Sequence, residues 1–279
     1  MGKPTFSIIV LAFNKRACTE RCLESLLASR NPFELVTVDN GSTDGTTALL
    51  EDFVPRLAEA GRPMTVIRNE KNRGAVVGRN QAMEVAQGEY CVFLDNDVYA
   101  VDPLWLDKLA EPLRTDRVNA IAGPVLVFAG EPDTIQCAGG GISRSGRVQF
   151  IGRGERRDDA RFARRREVQF VISACMMFRR TLTEEIGRLD EAYSPVQYED
   201  IDFCYRARER GYRVIYEPSV FMLHDESATT AQSPTLRNRY LVIKHGMIFK
   251  QRWRHMFEKE DGPPDEETIW KPIGRFKDR

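Results

Sequence analysis

Short apolar runs alternate with amphipathic segments through the first half of the chain. Four of these runs predict strands, at residues 6–13, 34–38, 64–68 and 90–94. The segments between and after them predict four helices: one carries Cys18 to Leu27 on one face, one ends near Ala60, and two lie at residues 74–86 and 103–113, with Pro103 in the first turn. This alternation is typical of a mainly parallel, Rossmann-like sheet flanked by helices, so we predict an α/β fold.

The second half of the chain is less regular. Strands are predicted at residues 119–128 (with an interruption near Gly123 and Pro124), 168–178, 213–216 and 220–223, and a helix at 200–210. Residues 139–141 and 153–166 predict loops over the sheet. An amphipathic helix is predicted from Leu236 to about Trp253, followed by a polar tail. Without an internal repeat or a linker, we predict one domain over residues 1–233 and a C-terminal helical extension with its tail over 234–279.

Charge adds one local feature to this picture. Lys plus Arg equals Asp plus Glu at 41 each, so no net charge draws the chain to nucleic acid, and no nucleic-acid partner is expected. Residues 153–166 are the exception, because they hold seven arginines against three acidic residues. This stretch is either a solvated loop or a clamp for anionic substrates or lipid head groups.

Cysteine usage and the absence of targeting patterns indicate a compartment. The six cysteines form no C-x-x-C pair, which favours buried thiols in a reducing environment. The N-terminus has no signal-peptide pattern, and no apolar stretch approaches the ~20 residues that cross a bilayer. We therefore expect a cytoplasmic protein, and leave open a peripheral contact with the inner membrane surface.

Acidic residues follow or flank several of the apolar runs. Asp39 and the Asp95-Asn96-Asp97 segment follow predicted strands, where ligands bind in open α/β sheets. Carboxylates there suit Mg²⁺ or Mn²⁺, and His224, at the end of another apolar run, could complete such a site. Glu199-Asp200 begins a predicted helix and could accept a proton. Taken singly, these residues are equally typical of turns, helix caps and structural hydrogen bonds.

The order of the motifs is more specific than any one of them. The series comprises 6–14, ending in Phe13-Asn14; 38–46 (VDNGSTDGT); 72–74 with 78–80 (NRG, GRN); 93–97 (FLDND); 187–191; 198–206 (YEDIDFCYR); 211–214; and His224. Over roughly residues 5–230 this series resembles the family 2 glycosyltransferases, which have the GT-A fold. Residues 173–180 resemble, more loosely, the bacterial cell-surface polysaccharide and rhamnosyl-type transferases.

The resemblance implies a role for each matching residue. Residues 1–233 would be the catalytic domain, with a donor half at about 1–130 and an acceptor half at about 131–233. Asp200 would be the general base, assisted by Glu199, and Asp97, Asp95 and His224 would bind the metal. The remaining implied positions bind the nucleotide donor: Phe13, Asn14, Asp39, Gly74, Arg79, Asp95 and Asn96.

The expected activity is that of an inverting, metal-dependent glycosyltransferase using Mg²⁺ or Mn²⁺. It would transfer a sugar from a UDP- or dTDP-sugar to a hydroxyl of a glycan, a lipid-linked glycan precursor or another acceptor, in cell-surface glycan or glycoconjugate biosynthesis. No Q-x-x-R-W motif is present, which favours single addition over polymerisation. The alternative is a non-catalytic sugar-nucleotide or glycan-binding protein on a degenerate GT-A fold. A sugar-phosphate nucleotidyltransferase is disfavoured because residues 12–16 (AFNKR) lack a glycine-rich loop. The sequence does not indicate an oligomeric state.

Overall fold

A ten-stranded sheet forms the centre of the molecule in a computed structural model, which describes residues 4–225 and 236–268. The strands of the whole structure are β1 (Phe6–Ala12), β2 (Glu34–Asp39), β3 (Met64–Arg68), β4 (Tyr90–Asp95), β5 (Val98–Ala100), β6 (Asn119–Phe128), β7 (Glu131–Cys137), β8 (Gly140–Ile142), β9 (Val148–Phe150), β10 (Arg166–Val168), β11 (Cys175–Arg179) and β12 (Arg213–His224). The helices are α1 (Arg16–Leu27), α2 (Thr46–Glu59), α3 (Ala75–Val85), α4 (Trp105–Thr115), α5 (Leu182–Ile186), α6 (Glu199–Glu209) and α7 (Leu236–Phe257).

The strand order creates a crevice at one edge of the sheet. Along its main path the order is β10-β12-β6-β11-β4-β1-β2-β3. Strand β1 pairs in parallel with β2 on one side and with β4 on the other, so the order reverses at β1. In such sheets ligands bind beyond the carboxyl ends of the strands at the reversal. The predicted α/β sheet is confirmed: β1–β4, β6 and β12 run in one direction, and β11 lies antiparallel between β4 and β6.

Apolar side chains bury both faces of this sheet. Successive residues of a strand point to opposite faces, so Ile9 of β1 joins one apolar cluster while Ile8 and Val10 join the other. Helices α1, α2 and α4 cover the face of Ile8, and α3, α6 and α7 cover the face of Ile9. Burial on both faces explains why the central strands appear in the sequence as almost continuous apolar runs.

Strand β6 passes through Gly123 and Pro124 without the predicted interruption. Proline lacks the N–H that a central strand must donate. Here pairing with β11 has ended at Ala122, and β12 changes register between Glu217 and Phe221, on the other side of Pro124. The missing donor therefore falls where both neighbouring ladders are already irregular, and the prediction of a break was wrong.

Other corrections fall around residues 139–178. The run 168–178 is not one strand, because β10 ends at Val168 and β11 begins at Cys175; the connecting Phe170 and Val171 are buried, which makes the run look continuous. Residues 140–142 form β8, which pairs with β9, instead of a loop. In the first half of the chain, α4 begins at Trp105, so Pro103 lies before the helix and not in its first turn.

Local carboxylates pair with most of the arginines at 153–166. Arg156 binds Asp158, and Arg161 binds Asp159 and Glu155. Arg165 binds Glu111 and Glu217, and Arg157 lies 3.7 Å from Asp133. Because these ion pairs neutralise much of the positive charge, the stretch fits a solvated surface better than an anion clamp.

Helix α7 packs along the sheet face of Ile9 through every fourth residue. Leu241, His245, Phe249, Trp253 and Phe257 form this buried stripe, and the helix extends one turn beyond the predicted end at Trp253. Within the described residues, no helix combines the length and apolar character needed to cross a bilayer.

The described part of the tail packs against the β8–β9 hairpin. The hydroxyl of Ser145 donates to Asp265 at 2.7 Å, and the side-chain amide of Gln149 donates to the carbonyl of Glu267 at 2.9 Å. The remainder of the predicted tail and the predicted boundary near residue 233 lie outside the described residues. The division into a domain and an extension stays a prediction.

A buried carboxylate fastens α7 to α6. Asp202 of α6 accepts hydrogen bonds from Arg252 and from the indole Nε1 of Trp253 on α7, both at 2.9 Å. Arg206 and the hydroxyl of Tyr193 also donate to it, at 2.8 and 3.2 Å. With four donors around one fully buried carboxylate, Asp202 acts as a structural anchor between the two helices.

Candidate active site

The loops after β1 and β2 hold each other at the carboxyl edge of the sheet. Asn14 adopts a left-handed backbone (φ 56°), which Asn tolerates better than most residues. Its N–H donates to the hydroxyl of Ser42, and its side-chain oxygen accepts the N–H of Thr43, both at 2.8 Å. Phe13 is 43% exposed beside this junction. These contacts place Phe13 and Asn14 next to the loop that follows Asp39.

Asp39 is buried at the end of β2. One carboxylate oxygen accepts the N–H of Ser42 at 2.9 Å, and the other accepts the hydroxyl of Thr47. A carboxylate has about four acceptor positions, so it can still accept hydrogen bonds from a ligand. The structure thus puts Asp39 at the predicted edge of the sheet; its contact with a nucleotide base stays a prediction.

Asn40 and Gly74 connect this edge to the second half of the chain. The amide of Asn40 donates to Asn72 and to the carbonyl of Gly74, and its oxygen accepts the N–H of Arg73 at 3.0 Å. Gly74 has φ +85°, and a Cβ at this position would lie 2.5 Å from the Cβ of Pro195. Only glycine permits both this backbone and this approach.

A buried guanidinium joins two of the predicted acidic clusters. Arg79 of α3 donates to Asp95 at the end of β4 at 2.6 Å and to Glu199 at the start of α6 at 3.0 Å. Burial alone would lower the pKa of Arg79, but these carboxylates outweigh burial and raise it. The guanidinium therefore remains charged and holds the two clusters at a fixed separation.

Asp95, Asp97 and His224 form a cluster with the geometry of a metal site. One potential ligand atom from each lies within 4.8 Å of the others, and His224 Nε2 is 3.4 Å from Asp97 Oδ1. Strands β5 and β12 bring them together, because Val98 pairs with His224 directly after Asp97. Carboxylate oxygens with one imidazole nitrogen suit a divalent ion such as Mn²⁺, and these residues fit it.

Gln136 of β7 orients the imidazole of His224. The side-chain oxygen of Gln136 lies 2.7 Å from His224 Nδ1, and an amide oxygen can only accept. In this arrangement Nδ1–H donates to the amide oxygen, and Nε2 faces Asp97, where it could coordinate a metal ion. Metal-ligating histidines commonly use their second nitrogen in this way.

Two residues beside the cluster differ from the sequence-based picture. Lys15, which the sequence analysis gave no role, places its ammonium 3.9 Å from Asp97, and burial lowers its pKa. Asn96 was expected at the nucleotide, yet its side-chain amide donates to the hydroxyl of Thr19 on α1 at 2.8 Å. That contact holds the β4–β5 turn against α1, and a role for Asn96 in nucleotide binding stays a prediction.

Asp200 and Glu199 have different environments although they are adjacent. Asp200 is partly exposed, and its oxygens accept the N–H groups of Ser173 (3.0 Å) and Ile201 (2.8 Å). Burial raises its pKa above the ordinary range. Glu199 is buried; burial and the charge of Asp200 raise its pKa to about 7, although Arg79 opposes the shift. Only Asp200 is therefore open to a ligand.

Several residues that shape the site had no signal in the sequence. Ser173 belongs to an apolar run, and Gln136 lies on a strand that was not predicted. For Asn40 and Lys15, the only indication in the sequence was that each directly follows a predicted site residue, Asp39 and Asn14 respectively. Altogether, a cluster that could hold a metal ion, a nearby positive charge and an accessible carboxylate with raised pKa meet at one edge of the sheet.

Comparison with known proteins agrees with this geometry. The family model described as glycosyl transferase family 2 matches residues 7–187. The O-antigen biosynthesis protein RfbC of Myxococcus xanthus is 33% identical over 237 residues, which cover 82% of this chain and 18% of RfbC. The chain spans less than a third of the length of the curated relatives that it matches over most of its own length.

Solved structures show the same fold. GalNAc-T7, crystallised with UDP, GalNAc and Mn²⁺, superposes with a TM-score of 0.64 at 16% identity, covering 91% of this chain and 50% of the other. The mannosyltransferase PcManGT from Pyrobaculum calidifontis, in complex with GDP-Man and Mn²⁺, gives 0.60 at 18% identity, covering 94% and 67%. The chain therefore belongs to glycosyl transferase family 2 and has the GT-A fold.

Proposed function

We propose that this chain is an inverting, metal-dependent glycosyltransferase that acts in cell-surface glycan biosynthesis. It would move a sugar from a nucleoside diphosphate donor to an acceptor hydroxyl. The observation that carries the proposal is the cluster of Asp95, Asp97 and His224, linked through Arg79 to the helix that begins at Glu199-Asp200. The biosynthetic role is supported by the similarity to a protein of O-antigen biosynthesis.

The metal would be held by Asp97 and His224, with Asp95 at the side of the site. A bound Mg²⁺ or Mn²⁺ ion supplies Lewis acidity that stabilises the negative charge of a departing nucleoside diphosphate. Lys15 lies beside Asp97, and its ammonium would contact the phosphate oxygens of the nucleoside diphosphate. Gln136 would keep Nε2 of His224 free for coordination. The mannosyltransferase and GalNAc-T7 complexes contain Mn²⁺, which supports a divalent ion as the cofactor.

The donor would occupy the crevice between the loops after β1, β2 and β4. Asp39 would accept hydrogen bonds from the base, Phe13 would pack against it, and Gly74 would let the backbone approach the nucleotide. A carboxylate at Asp39 can accept the ring N–H of uracil or thymine, so UDP- and dTDP-sugars are the favoured donors. Arg79, which is occupied by two carboxylates, would position Asp95 instead of binding the nucleotide directly.

Asp200 would be the general base. Its carboxylate is accessible, and a pKa raised by burial makes it a stronger proton acceptor than an exposed aspartate. The N–H groups of Ser173 and Ile201 fix the orientation of both oxygens. Glu199 would position Arg79 and carry no proton to or from the acceptor. A base that activates the acceptor opposite the leaving diphosphate implies inversion at the anomeric carbon.

Nucleotide titration of the purified chain tests the donor site. We expect UDP or dTDP to bind in the presence of Mn²⁺ and to lose binding with EDTA, measured by isothermal titration calorimetry. Asp97→Asn should weaken the metal-dependent binding by about tenfold or more, because it removes a charged ligand. Asp102→Asn, which changes an aspartate paired with Lys108 outside the site, should leave binding unchanged.

Binding that is indifferent to metal and to Asp97→Asn would contradict the metal site. Preference for GDP would contradict the role given to Asp39. Tight nucleotide binding without sugar transfer to any acceptor would instead support the non-catalytic alternative.

The role of Gln136 is tested by Gln136→Leu. Loss of the acceptor for His224 Nδ1 frees the imidazole to change orientation or tautomer. Removing a hydrogen-bond partner of a metal-ligating histidine typically lowers metal affinity by about 10–100-fold. We expect a loss of this size in a Mn²⁺ titration with nucleotide present. Gln136→Glu keeps an acceptor oxygen and should restore affinity, while Gln149→Leu, on the β8–β9 hairpin, serves as the control. Unchanged Mn²⁺ affinity in Gln136→Leu would show that the glutamine is only structural.

The base is tested by Asp200→Asn. The variant keeps the size of the side chain but removes the proton acceptor, so kcat should fall by about 10²–10⁴-fold. The rate is measured as release of nucleoside diphosphate with the acceptor that the wild type uses, and donor affinity is measured by calorimetry. Donor affinity should remain within about twofold. If donor affinity collapses together with kcat, Asp200 is structural or belongs to the donor site.

A further inference from the structure

Helix α7 has an apolar stripe on the face opposite to its buried one. Tyr240, Ile243 and Met247 are 63%, 63% and 62% exposed. Their spacing of three and four residues places them on one side of the helix. Val242 of the same helix is 42% exposed, whereas Val85 of α3 and Val118 in the turn before β6 lie singly, which is normal for a protein surface. Three neighbouring ones on a helix indicate a contact surface.

The charge of α7 is entirely positive. Its 22 residues include six lysines and arginines and no aspartate or glutamate, although the whole chain has no net charge. Arg252 is directed inward to Asp190 and Asp202. Arg239 and Lys244 are exposed beside the apolar stripe, and neither forms an ion pair within the described residues. The stripe is therefore flanked by cations that are available to an anionic partner.

We infer that this face of α7, defined by Tyr240, Ile243 and Met247 with Arg239 and Lys244, docks on an anionic lipid bilayer. The helix would lie in the plane of the interface. Its apolar side chains would enter the region between head groups and acyl chains, and the two cations would contact lipid phosphates. The occupant follows from charge complementarity, because an apolar stripe on a helix whose charged residues are all lysine or arginine matches a surface that is apolar beneath and negative above.

The buried face of α7 supports the loop that leads to the proposed base. His245 is buried, and its Nδ1–H donates to the carbonyls of Val196 (3.0 Å) and Gln197 (3.2 Å). Gly246 lies against Tyr198, since a Cβ there would be 3.1 Å from the tyrosine hydroxyl. Residues 196–198 immediately precede Glu199 and Asp200. Docking through α7 would therefore bring the acceptor side of the site near the membrane.

This inference rests on the proposed function and narrows its acceptor to a lipid-linked glycan. A hydroxyl on a lipid-anchored acceptor is presented at the bilayer surface, where a docked α7 would hold Asp200. A second copy of the chain is a weaker occupant of the same face, because a symmetric contact would oppose like charges. The described contacts of residues 258–268 are with the β8–β9 hairpin, Gln169, α6 and the last turn of α7, and none is with Tyr240, Ile243 or Met247.

Vesicle co-sedimentation tests the docking surface with the full chain. The probes are sucrose-loaded vesicles of phosphatidylcholine alone and of an equimolar mixture of phosphatidylcholine and phosphatidylglycerol. We expect the wild type to sediment with the mixed vesicles and much less with phosphatidylcholine. The double variant Ile243→Glu/Met247→Glu should reduce binding by about tenfold or more, since it removes apolar area and reverses the local charge.

The matched control is Val85→Glu/Val118→Glu, which makes the same chemical change at two exposed valines far from α7 in the sequence. It should bind the mixed vesicles like the wild type. The inference is overturned if the wild type ignores anionic vesicles, or if both double variants bind equally well. It is also overturned if the wild type is a dimer that Ile243→Glu/Met247→Glu dissociates without any vesicle binding.

Calorimetric titration of nucleotide without vesicles separates this inference from the proposed function. All four substitutions lie outside the donor site, so metal-dependent nucleotide binding should persist in both double variants. Such binding would also show that the variants are folded. A wild-type protein that binds nucleotide but does not bind anionic vesicles would refute the docking alone. Vesicle binding without nucleotide binding in the wild type would refute the proposed function and leave the docking surface intact.

Discussion

The buried guanidinium of Arg79 bridges Asp95 at the end of β4 and Glu199 at the start of α6. These two residues are 104 positions apart in the sequence. Its two hydrogen bonds, at 2.6 and 3.0 Å, set the separation between the metal cluster and the proposed base. Breaking a buried ion pair typically costs about 3–5 kcal/mol because the remaining charge has no partner. The arrangement of the site therefore depends on this one side chain, which also packs on the ring of Phe93 at 5.5 Å.

Two further contacts keep this arrangement rigid from outside. The approach of Gly74 to Pro195 presses the donor side of the site against the loop before α6. On the other side of that loop, α7 holds Val196 and Gln197 through His245 and anchors α6 through Asp202. The C-terminal helix is thus part of the support for the site, and the bilayer contact inferred for its outer face would act directly on the acceptor side.

Strands β1 to β4 could be predicted to within one residue, whereas β5 and β7 had no prediction. Strands β1, β2 and β4 are bounded by turn-forming residues and buried on both faces, so their apolar runs begin and end where the strands do. The same rule failed at residues 168–178, because the buried connection between β10 and β11 is as apolar as the strands. It also could not reveal β8 and β9, which are short and whose pairing depends on tertiary contacts.

The site was predictable to the extent that it lies at strand ends. Asp39, Asp95 and Asp97 follow strands, and the carboxyl ends of parallel strands meet at one edge. Gln136, Ser173 and Lys15 could not be assigned, because each contacts its partner (His224, Asp200 and Asp97 in turn) only across separate elements of the folded chain. Asn96 shows the opposite case, since its place in a recognisable motif gave no hint that α1 engages its amide.

The most direct test of this account is an anomalous-diffraction measurement on crystals grown with Mn²⁺ and the nucleoside diphosphate that binds best. We expect one strong manganese peak between the carboxylate of Asp97 and Nε2 of His224, with metal–ligand distances of about 2.1 Å, as hard divalent ions require. The nucleotide phosphates should lie on the side of Lys15, and Arg79 should still bridge Asp95 and Glu199. A nucleotide bound in the crevice with no manganese between Asp97 and His224, or manganese bound at another place, would contradict it.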